Sequence, residues 1–181
     1  MAIALVLPAA AHAQVQPRDL GADAVEFDER DRVIDDRDMK LPAAPQAQNL
    51  VEFDPRRPTS LKFFIDAASL TVNEKGVIRF TVVVKGEGST QNVTYEGMQC
   101  SEGIRKVYAY GARDGAWRPA TGSNWQPIGP QQTEPYRHGL AKYYFCPARH
   151  SIRTPAEGIE ALRRGEHKFV NDLNDNAPKP R

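Results

Sequence analysis

Residues 61–100 read LKFFIDAASLTVNEKGVIRFTVVVKGEGSTQNVTYEGMQC, a stretch that leaves little choice but an antiparallel sheet. Ile78, Phe80, Val82 and Val84 alternate with Val77, Arg79, Thr81 and Val83. A period of two puts the wholly apolar set on one face of a strand and the mixed set on the other. Phe63, Phe64 and Ile65, then Leu70 and Val72, predict the strand before it. Asn73-Glu74-Lys75-Gly76 joins the two, and asparagine and glycine accept the positive φ of a tight hairpin. Lys85 to Gln91 contains two glycines and no apolar residue, which predicts a second turn. Gln91 to Gln99 then alternates around Val93 and Tyr95. The expectation is a meander with one face in water. A helix is excluded, because β-branched residues dominate and no i, i+3, i+4 apolar spacing occurs.

Downstream, Ile104 to Tyr110 predicts another strand, and Asp114-Gly115 marks a turn. Ala116 to Pro130 reads as a long aromatic loop, with a short strand at Trp125 to Ile128. The spacing then becomes helical. Thr133-Glu134-Pro135 predicts a helix start with Thr133 as N-cap, and Tyr136, Leu140, Tyr143 and Tyr144 fall on one face. Gly139 argues against that helix, and Pro147 ends it. A second helix has Thr154 as cap, Pro155 in its first position and Glu157 completing a capping box, with Gly165 as its stop. The expected fold is α+β over residues 50–170: a four- to five-stranded antiparallel meander sheet packed by two C-terminal helices. Residues 171–181, rich in Asn, Asp and Pro, are expected to form a disordered tail.

The N-terminal part has a different character. Residues 1–13, MAIALVLPAAAHA, are an apolar run ending in Ala11-His12-Ala13, as at a signal-peptidase cleavage site. They predict export, with Gln14 first in the mature chain and no lipid anchor, since no cysteine follows the cut. No basic residue precedes the run, so the expectation is a leader truncated at its start. Residues 14–49 predict a disordered arm, acidic and then proline-rich. Asp19 to Asp38 holds nine acids and three arginines, too few apolar groups to offset the entropy of ordering. It reads as a solvated arm or as a docking peptide for a basic partner. Val25-Glu26-Phe27-Asp28 recurs as Val51-Glu52-Phe53-Asp54, too short a match to make a repeat. Leu41 to Pro58 reads as an extended lead-in laid across the sheet.

Three phrases carry a family resemblance. They are Thr59 to Leu70, Asn92 to Cys100 followed by Tyr108-Ala109-Tyr110-Gly111, and Tyr143-Tyr144-Phe145-Cys146-Pro147. In that order they resemble the cryptic neisserial protein-like family of exported bacterial proteins, over about Leu41 to Gly165. In that family a tryptophan often precedes the leucine-proline lead-in. Here the positions are Asp38-Met39-Lys40, which implies a differently docked arm. The resemblance implies a domain and an exported location, and no catalytic residue.

The chemistry-bearing residues are sparse. Two cysteines, Cys100 and Cys146, in an exported chain predict a disulfide. The rival is a catalytic Cys–His pair, since His138 and His150 flank Cys146. No HxxxH or CxxC spacing joins His138, His150 and His167, so neither a metal nor a cofactor is expected. Ser60, Ser69, Ser89 and Ser123 lack a GxSxG setting, and Gly86-Glu87-Gly88 lies between strands rather than before a helix. The core carboxylates left for hydrolysis are Asp66, Glu96 and Glu102. A net charge of +1 implies neither a nucleic-acid surface nor a strong polyanion site, and no mature segment is apolar enough to span a membrane. Aromatics are the one suggestive group. Tyr110, Arg113, Trp117 and Trp125 could form a ledge for a ligand, or their rings could fill the gap between sheet and helices. The expected function is a periplasmic, non-catalytic binding or accessory module of the cell envelope, its partner an envelope protein or glycan. The alternative is a small periplasmic hydrolase.

Overall fold

The computed structural model describes Ile34, Asp36 and residues 39–170 without Ser89. The expected signal peptide, most of the acidic arm and the tail 171–181 lie outside the described residues. Residues 1–39 and 40–181 form separate units. Of the first, the described part is a turn in which Met39 N–H donates to the Asp36 carbonyl at 3.0 Å.

The second unit is built on a seven-stranded antiparallel sheet. Its strands are β1 (Leu50–Phe53), β2 (Lys62–Val72), β3 (Val77–Lys85), β4 (Gln91–Gln99), β5 (Ile104–Gly111), β6 (Trp117–Pro119) and β7 (Gln126–Pro127). They lie in chain order from β1 to β6, and β7 pairs with the start of β5. The expected meander is its centre. The added strands are short: β1 has four residues, β6 three and β7 two. Each owes its extended form to a partner strand more than to its own residue preferences.

The turns follow the local chemistry. Asn73 Oδ1 accepts from Val77 N–H at 2.8 Å, and Gly76 takes φ 73°. In β2 the register slips between Asp66 and Thr71, so β2 spends extra residues there against β3. Ser69 closes this bulge. Its hydroxyl donates to the Asp66 carbonyl and accepts from Thr81 N–H, each at 2.8 Å.

Ile65, Ile78, Phe80, Val82 and Met98 form the inner face of the sheet. Against it pack α1 (Pro135–Gly139), its wider-turned continuation Leu140–Phe145, and α2 (Pro155–Arg164). Cys146 N–H reaches back to the Ala141 carbonyl, five residues, and this register sends Phe145 onto Phe80 with ring centroids 5.3 Å apart. Thr133 is not the N-cap. Glu134 holds that position, and the Thr133 hydroxyl donates to the Pro130 carbonyl instead. Gly139 has a packing reason: a Cβ there would lie 2.8 Å from the Pro55 carbonyl oxygen. At α2 half of the expected capping box forms, with Glu157 N–H on Thr154 Oγ1 at 3.2 Å, while the Glu157 carboxylate accepts from the N–H of Arg153, one residue before the cap, at 2.6 Å.

The outer face is not the wet face expected. Val77, Thr81, Val83, Tyr95 and Tyr108 are all buried. Tyr95, Tyr108, Trp117 and Trp125 layer over it, with neighbouring ring centroids 5.6 to 6.2 Å apart. Gly97 makes the layer possible, since a Cβ there would meet Tyr108 Oη at 2.7 Å. These rings therefore fill the side of the sheet away from the helices.

Candidate functional site

The connection from β1 to β2 is fixed by Arg56. Its backbone takes the left-handed conformation at φ 59°, with its N–H on Asp54 Oδ1 at 2.7 Å. Its guanidinium donates to the Gly165 carbonyl at 2.6 Å, lies 3.6 Å from Glu166 and covers the Tyr143 ring at 5.4 Å. Tyr144 Oη donates to the Asp54 carbonyl at 2.9 Å. The loop after β1 is thereby tied to the end of α2, and a groove of about 830 Å³ lies between them. Phe53 and Tyr144 line it along with Arg56, Arg57, Lys62 and Arg163. A second hollow of about 480 Å³ shares Glu52, Leu162 and Arg163 and runs on along β1 to Gln48.

The lining is basic. Arg56, Arg57, Lys62, Arg163 and Arg164 stand against Glu52 and Asp54. Lys62 lies 3.7 Å from Glu52, and Arg164 pairs with Glu160. Arg57 has only a long bond of 3.4 Å to the Gln131 carbonyl. Among the described residues, neither Arg57 nor Arg163 has an acidic partner. The groove can therefore hold an anionic group.

The residues expected to form a ledge are divided. Trp117 lies opposite Gly111 in the β5–β6 register, and its Nε1–H donates to the Pro42 carbonyl at 2.7 Å. Residues 40–49, assigned from sequence to the arm, are in the same unit as the sheet. Trp125 stands edge-on to Tyr108, and its Nε1–H is buried with no partner among the described residues. Tyr110 is next to Gly111 and so points to the opposite face from Trp117, where it is 52% exposed. Arg113 is exposed in the turn between β5 and β6.

The core carboxylates differ from one another. Glu96 is saturated by donors from Thr94, Tyr136 and Arg137 at 2.7 to 2.8 Å. Burial and the Glu96 charge push the Tyr136 hydroxyl well above its ordinary range, so it stays a donor. Burial would raise Glu134, but Gly129 N–H and the guanidinium groups of Arg105 and Arg137 outweigh it and hold the carboxyl low. Asp66 is 2% exposed, and burial raises its carboxyl, offset in part by Ala68 N–H. Among the described residues its Oδ1 has no partner, nor has Thr81 Oγ1, the hydroxyl of the residue paired with it across the strands. Glu102 sits exposed in the turn after β4.

Cys100 and Cys146 are bonded, with Cα atoms 5.3 Å apart. His167, weighed from the sequence only as a metal ligand, is buried with Nε2 3.0 Å from Glu157. Among the described residues, no cluster of His, Cys, Asp or Glu is placed to hold a metal, and no helix is long and apolar enough to cross a membrane.

Comparison with curated proteins and with solved structures gives no match. One family pattern does match, over residues 29–163, beginning within the acidic arm and including every strand. The chain belongs to the CNP1-like family, the family its strand and cysteine phrases resemble.

Proposed function

We propose that the protein is an exported, non-catalytic binding or accessory module of the bacterial cell envelope, with the basic groove beside β1 as its recognition face. The observation that carries this reading is the pair Arg57 and Arg163, two arginines without acidic partners among the described residues, lining one groove of about 830 Å³. Such groups are primed for a partner's carboxylate, sulfate or phosphate. Export is supported by the apolar run ending in Ala11-His12-Ala13 and by the bonded cysteines, which suit an oxidising compartment. A hydrolase would need a carboxylate both open to substrate and held in a cleft, whereas Glu96 accepts four hydrogen bonds, Asp66 lies beneath the surface and Glu102 stands in an exposed turn away from the groove lining.

The test is photo-crosslinking in the producing cell from positions 57 and 163, with mass spectrometry of the periplasmic fraction and of the mature N-terminus. One recurring protein or glycan adduct, on a chain beginning near Gln14, is the expected result. Retention of residues 1–13 would reject export. Absence of adducts, with turnover of an envelope substrate lost on Asp66→Asn, would replace the binding module by the hydrolase.

A further inference from the structure

Resting on that reading, we infer that the groove takes an extended acidic peptide of a partner protein, which adds as a strand to the free edge of β1. The two edges of the sheet are unlike. At the far edge, β6 and β7 are three and two residues long, and each includes a proline, Pro119 and Pro127. Short edge strands and prolines are devices that stop further pairing. Beyond β1, the exposed part of β2 is broken by the bulge between Asp66 and Thr71. β1 is also short, at four residues, but it has neither a proline nor a bulge. Its residues are Leu50, Val51, Glu52 and Phe53, in regular register with Asp66, Ile65, Phe64 and Phe63, and its one strand neighbour among the described residues is β2.

In an antiparallel pair every second residue turns both its N–H and its C=O away from the partner. The Leu50 N–H is taken by the Ala47 carbonyl, so β1 presents a short edge made of its remaining outward backbone groups, and the two hollows run along it, sharing Glu52, Leu162 and Arg163. Main-chain pairing along such an edge supplies affinity, and side-chain contacts on alternate positions supply selectivity. Arg163 lines both hollows and Arg57 the larger one, so acidic side chains at alternate ligand positions are the ones the groove selects. A strand of four residues spans about 13 Å, which sets the ligand at a short segment. A glycan or free phosphate would use the arginines and leave the strand edge unused.

The experiment titrates the mature, disulfide-bonded protein with an acetylated peptide of alternating valine and glutamate, followed by calorimetry and amide hydrogen exchange. Two further peptides carry N-methyl groups on either alternate set of residues, with all charges kept. The expected result is binding that slows exchange in residues 50–53, falls about tenfold or more with Arg163→Glu or Arg57→Glu, and falls similarly for one N-methylated peptide but not the other. Equal binding by both methylated peptides, or unchanged exchange in β1, would overturn strand addition in favour of docking by charge alone. If no peptide binds while crosslinks from position 163 still recur in cells, the acidic-strand ligand is wrong and the binding module stands. Both arginines are exposed, and circular dichroism checks that each variant is folded.

Discussion

Arg137 grips both oxygens of Glu96: Nε lies 2.8 Å from Oε2 and Nη2 2.8 Å from Oε1. The Glu96 side chain is 1% exposed and that of Arg137 16%, so the pair bridges the inner face of β4 and the first turn of α1. Desolvation offsets much of the attraction in such a pair, yet removing one partner leaves the other charge buried without compensation. Arg137→Ala should lose roughly 3–5 kcal/mol in urea unfolding. Adding Glu96→Leu to it should restore part of that loss. An unchanged midpoint for the single variant would show that the pair does not hold α1 to the sheet.

Gly139 gives a second prediction. In an exposed helix, glycine to alanine usually gains about 1 kcal/mol. Here the new Cβ would sit 2.8 Å from the Pro55 carbonyl oxygen and 3.2 Å from the Pro55 Cα. Backbone cannot rotate aside as a side-chain end can, so α1 and the β1–β2 connection must separate. Gly139→Ala should lower the melting temperature and expose the loop at Arg56 to proteolysis. A rise in melting temperature would mean that this contact carries no constraint.

These two residues show what the sequence discloses. The central strands were legible because a period of two is a local signal, and so were the cap Thr154 and the stop Gly165. Glu96 was not, since in its strand it reads as an ordinary polar position and its partner is 41 residues away. The groove was hidden for the same reason. Arg56 and Gly165, which close it, are 109 residues apart. Strand β1 is too short to announce itself. The separation of Tyr110 from Trp117 turned on loop length: a two-residue turn at Asp114-Gly115 would pair Ala112 with Trp117 and keep Tyr110 on its face, whereas the three-residue turn closed by Ala112 N–H on the Ala116 carbonyl places Gly111 opposite Trp117.

The disulfide supports a third prediction. It closes a loop with a sequence separation of 46, joining the end of β4 to the residue after the Leu140–Phe145 turn. On the chain-entropy account such a cross-link contributes roughly 4 kcal/mol by restricting the unfolded chain. Cys100→Ser with Cys146→Ser, or reduction, should lower the urea midpoint accordingly. Equal midpoints for the oxidised and reduced protein would show that the surrounding core already fixes this junction.

Asp66 supports the last prediction, one of pH. Its folded-state carboxyl is raised above the ordinary 3.8, so it favours folding below that value and this contribution is lost as pH rises through the folded value. Glu134 and Glu157 are lowered from 4.5, so they favour folding above that value and this is lost as pH falls through their folded values. Asp66 thus opposes the other two, and wherever it is ionised it is a buried charge with one oxygen that has no partner among the described residues. Asp66→Asn removes that charge at nearly constant shape, and the Thr81 hydroxyl in the paired position can accept from the new amide. The variant should be more stable than the parent at about pH 7, with the gain shrinking towards zero at about pH 3, where Asp66 is protonated folded or unfolded. Glu134→Gln should do the reverse, losing stability at neutral pH and little in acid. Urea midpoints of the three proteins across that range decide it. A gain for Asp66→Asn that does not change with pH would trace its effect to packing, and a loss at neutral pH would mean that the ionised carboxylate has a partner in solution.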